Sequence, residues 1–334
     1  MTVELKTVAI TPLRHTFTHV AALIGGDKPA SRYQEAVLGA QPDTNFHYRP
    51  TWDPDHELFD RKRTAIVMRE WNAFKDPRQL YYGTWTMGRA RQQDAMESNF
   101  EFVEDRGLVA RLPHEVAERA LDVLLPLRHA AWAANMNNSA ICAYGYGAPF
   151  TSAAMFHAMD HLGIAQYLTR LGLTLSDPAR VAAAKQAWLA APAWQPLRRL
   201  TEDTLVVSDW FELFVAQDFV IDGLLYPLVY GVVVDDVLAA KGGTAIAMLT
   251  AFMTEWHADS AKWVDAQVKV AATESDANRA LIAGWVRAWR GRALEALAPV
   301  AKLALDDEAP GYVAGVIEAF DARCAKLGVI GPVA

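Results

Sequence analysis

The sequence predicts an all-α protein, with an extended arm over residues 1–60 and a helical body over residues 61–334. Beyond the arm, apolar residues recur on one side of a 3.6-residue period, as on the buried face of a helix. Alternating strand patterns are nearly absent, and no internal repeat is visible. Capping residues, Pro and Gly separate the apolar stretches at intervals expected for long helices.

The arm differs in composition from the body. "GGDKPASRYQEA" and "TNFHYRPTWDPDHELFD" are rich in Gly, Pro, Asp and aromatic residues and show neither a helical nor a strand period. Such a segment has little core of its own, but it is too aromatic to look disordered. We therefore expect it to lie on its own body or on a partner. The candidate interface residues are Tyr33, Phe46, Tyr48, Arg49 and Trp52.

The body opens with a one-sided apolar pattern in "LPHEVAERALDVLLPLRHAAWAANMNNSAI", which predicts a helix kinked at Pro126. In "SDPARVAAAKQAWLAA", a capping residue followed by proline marks the next helix start. "KGG", residues 241–243, predicts a helix stop. Three further helices are expected in "TAIAMLTAFMTEWHADSAKWVDAQVKVAA", "SDANRALIAGWVRAWRGRALEALAPVAKLA" and "GYVAGVIEAFDARCAKLG".

The most apolar stretch is Phe219–Leu238, which nevertheless contains Asp222, Pro227, Asp235 and Asp236. A membrane-spanning helix needs about 20 apolar residues with few or no charges. This stretch is therefore interpreted as a buried helix of a soluble protein, kinked at Pro227.

Charge and cysteine content exclude several classes. The formal net charge of −7 argues against general nucleic-acid binding, which needs a basic face. Cys142 and Cys324 lie far apart and indicate reduced thiols in a cytoplasmic protein. The first residues, "MTVELKTVAITPLRH", lack the basic and apolar regions of a signal peptide.

The stretch "FHAMDHLGIAQYL" places His157 and His161 one helical turn apart, with Asp160 beside them. The pattern resembles the H-x-x-E-H zinc signature with Asp in place of Glu. A catalytic zinc also needs a third protein ligand, and none is evident nearby. The favoured interpretation is a pair of helix-surface or interface histidines.

A search for a di-iron centre gives a negative result. Ferritin-like carboxylate centres take a Glu from each of two helices and a Glu-x-x-His from each of the other two. None of the nine histidines has a Glu three residues before it. Acids on the long apolar helix predicted in "EDTLVVSDWFELFVAQDFVIDGLLYPLVY" could be ligands or proton carriers, but structural pairing with arginines elsewhere is favoured. These acids are Asp209, Glu212, Asp218 and Asp222.

Several long strings carry a family likeness: "TNFHYRPTWD", "DPRQLYYG", "PLRH…ANMNN", "WQPLRRLTEDTLVVSDWFEL" and "DGLLYPLVY". Together they resemble the β subunit of a bacterial multicomponent phenol hydroxylase, within the phenol and toluene ortho-hydroxylating branch of the multicomponent monooxygenases. The likeness runs from the arm to about residue 300.

The resemblance implies a ferritin-like helical bundle without a metal centre or cofactor in this chain. It implies a dimer of αβγ protomers, with a non-haem di-iron centre in α. It also implies a reductase carrying FAD and a two-iron two-sulfur cluster, and a regulatory protein. The implied reaction uses NADH and O2 to hydroxylate an aromatic, such as phenol to catechol. No nucleic acid or membrane partner is expected.

The family's α subunits carry Asp-Glu-x-Arg-His in two helices. In this chain the first pattern would place His161 and Ile164 at the Glu and His positions, and the second Ser260 and Trp263. No catalytic residue is carried over, and these four positions are expected to be vestigial, with His161 buried or hydrogen-bonded. The leading hypothesis is a structural subunit that is inactive alone. The alternative is a stand-alone helical metallohydrolase using His157 and His161.

Overall fold

The computed structural model describes residues 16–26, 29–43 and 47–329. Within these residues there are helices and irregular segments but no β-strand, which confirms the predicted fold class. The α-helices are α1 (Thr18–Ile24), α2 (Arg32–Val37), α3 (Tyr82–Asp105), α4 (His114–Tyr144), α5 (Ala148–Leu175), α6 (Pro178–Ala190), α7 (Gln195–Thr204), α8 (Trp210–Phe214), α9 (Asp222–Tyr226), α10 (Thr244–Glu274), α11 (Asp276–Leu305) and α12 (Ala309–Leu327). Short 3-10 turns cover Arg61–Arg63, Trp71–Ala73, Val109–Arg111 and Asp306–Glu308.

The longest apolar element runs from Trp210 to the end of α10. It contains two π-helical stretches, Val215–Ile221 and Pro227–Gly243. Proline inside a helix removes a backbone donor and crowds the preceding turn, and the wider π register begins at Pro227. Gly242 has a φ of 96°, so the helix breaks there before α10, as "KGG" predicted.

By length and composition alone, the element Trp210–Glu274 could cross a membrane. However, 61% of its most apolar window is buried inside the protein, so it is a core helix, as expected from its acidic residues and proline. Its aromatic side chains form the centre of the core. The Phe150 ring lies 4.9 Å from that of Phe214 and 5.0 Å from that of Trp210. Trp210 and Trp263 are both fully buried.

Helices α4 and α5 form a closely packed pair. They are joined at Gly145–Gly147, where Gly147 adopts a φ of 96°. Near the other end of α5, a Cβ on Gly172 would lie 2.2 Å from Leu125 Cδ2. A side chain at position 172 would therefore force the buried Leu125 side chain to move.

The arm is not extended throughout. It contains α1 and α2, and the latter begins with a capping box between Ser31 and Gln34. The two helices enclose a small cluster of Val20, Tyr33, Val37 and Leu38. The Asp76 N–H donates to the Tyr33 hydroxyl at 2.7 Å, so this part of the arm lies on its own chain.

Beyond these helices the arm is irregular. Tyr48 and Trp52 are 54% and 69% exposed, and Arg49 donates to the Pro54 carbonyl at 3.2 Å. Phe46 lies outside the described residues. Long helices begin only at Tyr82, because the preceding segment carries prolines, turns and 3-10 geometry.

Candidate functional site

Two histidines and two aspartates meet inside the helical bundle. His157 and His161 project from α5, and Asp218 and Asp222 from the facing Val215–Tyr226 segment. His161 Nε2 lies 3.1 Å from Asp222 Oδ2, while His157 Nε2 lies 3.5 Å from Asp218 Oδ1 and 3.8 Å from Asp222 Oδ2. We call these four residues the His–Asp cluster. All four are buried, so neither histidine lies on the helix surface.

Side-chain amides hold the carboxylates in place. Asn138 Nδ2 donates to Asp218 Oδ1 at 2.8 Å, and Gln217 Nε2 donates to Asp222 Oδ1 at 2.9 Å. The Gln217 carbonyl oxygen accepts from Asn137 Nδ2 at 2.8 Å, which fixes the amide orientation. Asp222 thus has one oxygen bound by a neutral donor and its second oxygen directed at the histidines. In Asp218, the oxygen that accepts from Asn138 is also the one that lies nearest to His157.

Several polar atoms of the cluster lack a hydrogen-bond partner. They are both ring nitrogens of His157 and of His161, together with Oδ2 of Asp218 and of Asp222. The atoms approach one another, but not along hydrogen-bonding directions. Unsatisfied buried groups cost about 1–3 kcal/mol each, so such a concentration calls for an explanation, such as a water molecule or an ion.

Burial and mutual interaction shift the protonation equilibria. Burial lowers the pKa of His157 to about 4, which favours its neutral form. Burial and the nearby Asp222 raise the pKa of Asp218 well above its ordinary value. Burial would also raise the pKa of Asp222, but the facing His161 and His157 lower it below its ordinary value. Asp222 is therefore the ionised carboxylate of the pair.

Aromatic rings and a small cavity surround the cluster. The Trp256 indole stacks on the His157 ring at 4.8 Å, and the Trp263 ring lies 5.3 Å from it. A cavity of about 20 Å³ is lined by His161, Asp222 and Ile164, among others. A cavity of this size can hold one water molecule or one ion if polar partners are present.

Asp160 does not join the cluster. It accepts from Arg89 Nε and Nη2, both at 2.6 Å, from Trp85 Nε1 at 3.0 Å and from Trp256 Nε1 at 2.9 Å. These bonds connect α5 to α3 and α10. The carboxylate is therefore committed to a structural ion pair and cannot act as the general base of an H-x-x-E-H-like signature.

The comparisons with known proteins identify the family. The family model described as "Methane/Phenol/Alkene Hydroxylase" matches residues 52–275. The chain is 47% identical over 333 residues to the oxygenase component DmpL of phenol 2-monooxygenase from Pseudomonas sp. (strain CF600), covering 98% of each. The chain belongs to the methane/phenol/alkene hydroxylase family.

This hydroxylase-family chain is also similar to a solved structure and to a more distant relative. A crystal structure of xenon-pressurised phenol hydroxylase from Pseudomonas sp. OX1 contains a chain that matches with a TM-score of 0.89 and 42% identity. That match covers 97% of this chain and 98% of the other. The hydroxylase component subunit beta of the toluene-4-monooxygenase system of Ectopseudomonas mendocina is 24% identical, covering 84% of this chain and 86% of that protein.

The His–Asp cluster does not fit the di-iron centre of ferritin-like proteins. That centre takes four carboxylates and two histidines from four helices. The cluster offers two carboxylates, and both histidines come from α5. The suggested vestigial positions Ile164, Ser260 and Trp263 are buried, and Ser260 Oγ donates to the Trp256 carbonyl. Neither Ile164 nor Trp263 has a side chain that binds iron.

The convergence of the two pairs is not visible in the sequence. Its patterns single out the histidines and the acids separately, and they favour a surface or interface position for the histidines. They also favour arginine partners for the acids, whereas Asp218 and Asp222 face histidines and amides. Asp209 caps α8, and Glu212 accepts from Trp289 Nε1 at 3.0 Å. The available signal was the i, i+4 spacing of both pairs on apolar helices.

Proposed function

We propose that this chain is the non-catalytic structural β subunit of a di-iron aromatic hydroxylase complex. The main support is its 47% identity, over 98% of both chains, to an oxygenase component of phenol 2-monooxygenase. A more distant relative is named as a hydroxylase beta subunit. Since no histidine in the sequence has a Glu three residues before it, the di-iron ligand set must come from another chain.

In this proposal the complex is a cytoplasmic dimer of αβγ protomers. The α subunit holds the non-haem di-iron centre, and a reductase with FAD and a two-iron two-sulfur cluster delivers electrons from NADH. A regulatory protein docks on the hydroxylase. The complex consumes O2 and hydroxylates an aromatic such as phenol, giving catechol. The metallohydrolase alternative is not favoured, because the matched relatives are monooxygenase components.

The physical role of the chain is to provide a rigid helical surface for assembly. Its core is closed by buried aromatic rings and by the Asp160–Arg89 ion pair. The exposed part of the arm offers Tyr48, Arg49 and Trp52 to the α subunit, since aromatic and arginine side chains are frequent interface anchors. Tyr33 has a different role, because its buried ring supports the fold of the arm itself.

The test is reconstitution from separately purified components. The chain alone should neither convert phenol to catechol with NADH and reductase nor retain about two irons, the content of a ferritin-like di-iron centre. Adding it to α, γ, the regulatory protein and the reductase should restore NADH-dependent hydroxylation. Activity that does not depend on this chain would contradict the proposal, and so would a pair of irons bound to it.

Deletion of residues 1–60 tests the arm. The shortened chain should elute separately from α on size exclusion, whereas the intact chain should coelute with it. Because the deletion also removes α1 and α2, circular dichroism must show that the helical body remains folded. Coelution of the folded, shortened chain would remove the arm from the proposed interface.

A further inference from the structure

We propose that the His–Asp cluster, formed by His157, His161, Asp218 and Asp222, binds one divalent cation of the zinc class within the bundle. The ion would be structural and distinct from the di-iron centre assigned to the partner α subunit. The inference rests on the cluster geometry and not on the proposed assembly. It departs from the sequence-based expectation of no metal, because the sequence alone shows no third ligand beside His157 and His161.

The donor atoms are close to the separations that a tetrahedral ion requires. One ligand atom from each residue can be chosen so that all four lie within 4.8 Å of one another. Ligands about 2.0–2.1 Å from a tetrahedral zinc are roughly 3.4 Å apart. The two pairs that involve the unpartnered Asp222 Oδ2, at 3.1 Å to His161 Nε2 and 3.8 Å to His157 Nε2, bracket that separation. Small side-chain rotations would draw the remaining donors inward.

A bound cation would satisfy polar atoms that are otherwise unpartnered. Nitrogens of two fully buried imidazoles and an oxygen of each carboxylate could all become ligands. Carboxylate ligands bind a metal in their deprotonated form, so metal binding would release the proton from Asp218. The two carboxylates would then balance one divalent charge, and the occupied site would be neutral overall. Asn138 and Gln217 already bind the other carboxylate oxygens, as outer partners do in metal sites.

The donor set indicates which ion is bound. Two imidazole nitrogens and two carboxylate oxygens suit zinc better than calcium or magnesium, which prefer six or more oxygen ligands. Four protein ligands would leave no open position, which is typical of structural rather than catalytic zinc. The cavity beside His161 and Asp222 is only about 20 Å³, which is room for one ion and not for a pair. The ion would join α5 to the Val215–Tyr226 segment.

The experiment uses the full chain, stripped with chelator and titrated with Zn²⁺ or Co²⁺. Zn²⁺ should bind at one equivalent and raise the Tm. Co²⁺ should bind at one equivalent and give the visible absorption bands of a four-coordinate ion. If neither ion binds tightly and Zn²⁺ leaves the Tm unchanged, the proposal is overturned and the cluster holds protons or water alone. The same holds for a six-coordinate Co²⁺ spectrum.

Variants identify the ligands. Asp222→Asn and His161→Gln should each abolish the four-coordinate Co²⁺ spectrum. His257→Gln is the matched control, because His257 is a nearby histidine stacked on Tyr226 at 5.4 Å and outside the cluster. It should bind Co²⁺ like the unchanged chain. If Asp222→Asn and His161→Gln both keep the full spectrum, the ion is held elsewhere and the assignment is wrong. If a variant fails to fold, the spectrum of the unchanged chain still decides the coordination number.

Discussion

His161 Nε2 and Asp222 Oδ2 lie 3.1 Å apart and join α5 to α9 inside the core. Replacing His161 by Leu should leave the buried Asp222 carboxylate without the imidazole that faces it. Loss of one partner from a buried pair costs about 3–5 kcal/mol. Urea unfolding of His161→Leu should show a loss of that order. The double variant His161→Leu/Asp222→Leu should lose less, because no carboxylate remains unpaired. A double variant as unstable as the single one would contradict this account.

Asp160 links three helices through Arg89, Trp85 and Trp256. Asp160→Asn removes the negative charge that balances Arg89. It also places an amide NH2 group, which is a donor, opposite the N–H donors of Arg89 and the two tryptophans. We expect a loss of about 3 kcal/mol in the free energy of unfolding. Glu97→Gln is the control, because the Glu97–Arg170 pair is about 40% exposed. Its effect should stay within about 1 kcal/mol. Equal effects would show that the burial of Asp160 is unimportant.

Gly172 and Gly163 form a matched pair on α5. A Cβ at Gly172 would meet Leu125 at 2.2 Å, whereas a Cβ at Gly163 meets nothing within 4 Å. Gly172→Ala should destabilise the chain by about 1–3 kcal/mol through overpacking. Gly163→Ala should stabilise it by up to about 1 kcal/mol through better helix propensity. Thermal unfolding of both variants should give Tm shifts of opposite sign, and shifts of the same sign would refute the argument.

Trp52 lies in the arm and is 69% exposed. In the proposed assembly its side chain contacts the α subunit. Trp52→Ala should change the unfolding free energy of the chain by no more than about 0.5 kcal/mol. Because Trp52 is an interface anchor in the proposed assembly, the same substitution should weaken binding of the chain to α. The expected loss is at least about 2 kcal/mol, roughly 30-fold in Kd. Tyr82→Ala is the control, because Tyr82 is 71% exposed outside the arm. Equal Kd values for the two variants would exclude Trp52 as an anchor.

His129 should make the chain sensitive to acid. It stacks on Trp188 at 5.7 Å, and burial, Arg128 and Lys185 lower its pKa from 6.5 to about 4. Between these two pH values the unfolded chain binds a proton that the folded chain does not, so stability falls as pH decreases. His129→Gln should therefore lose less stability than the unchanged chain over that interval. Urea unfolding at pH 7 and at about pH 4.5 measures the difference, and parallel losses would contradict it.

The arm contains two short helices that the sequence pattern does not predict. Its Pro, Gly and aromatic content predicted a segment unlike the body, but not α1 and α2. These helices have only 7 and 6 residues, too short for a hydrophobic period to be recognised. They are held by the Val20–Tyr33–Val37–Leu38 cluster and by the Tyr33–Asp76 hydrogen bond. Such contacts join residues that are distant in the sequence.

The sequence by itself determined the all-α fold, the helix break at Gly242 and the lack of Glu-x-x-His pairs, because periodicity, backbone geometry and ligand spacing are local properties. Its long strings also indicated the hydroxylase family. Only the tertiary structure decided what the histidines and acids face. His157 and His161 meet Asp218 and Asp222, while Asp160 turns to Arg89. The packing of α5 against the Val215–Tyr226 segment sets these distances, and no local pattern encodes that packing.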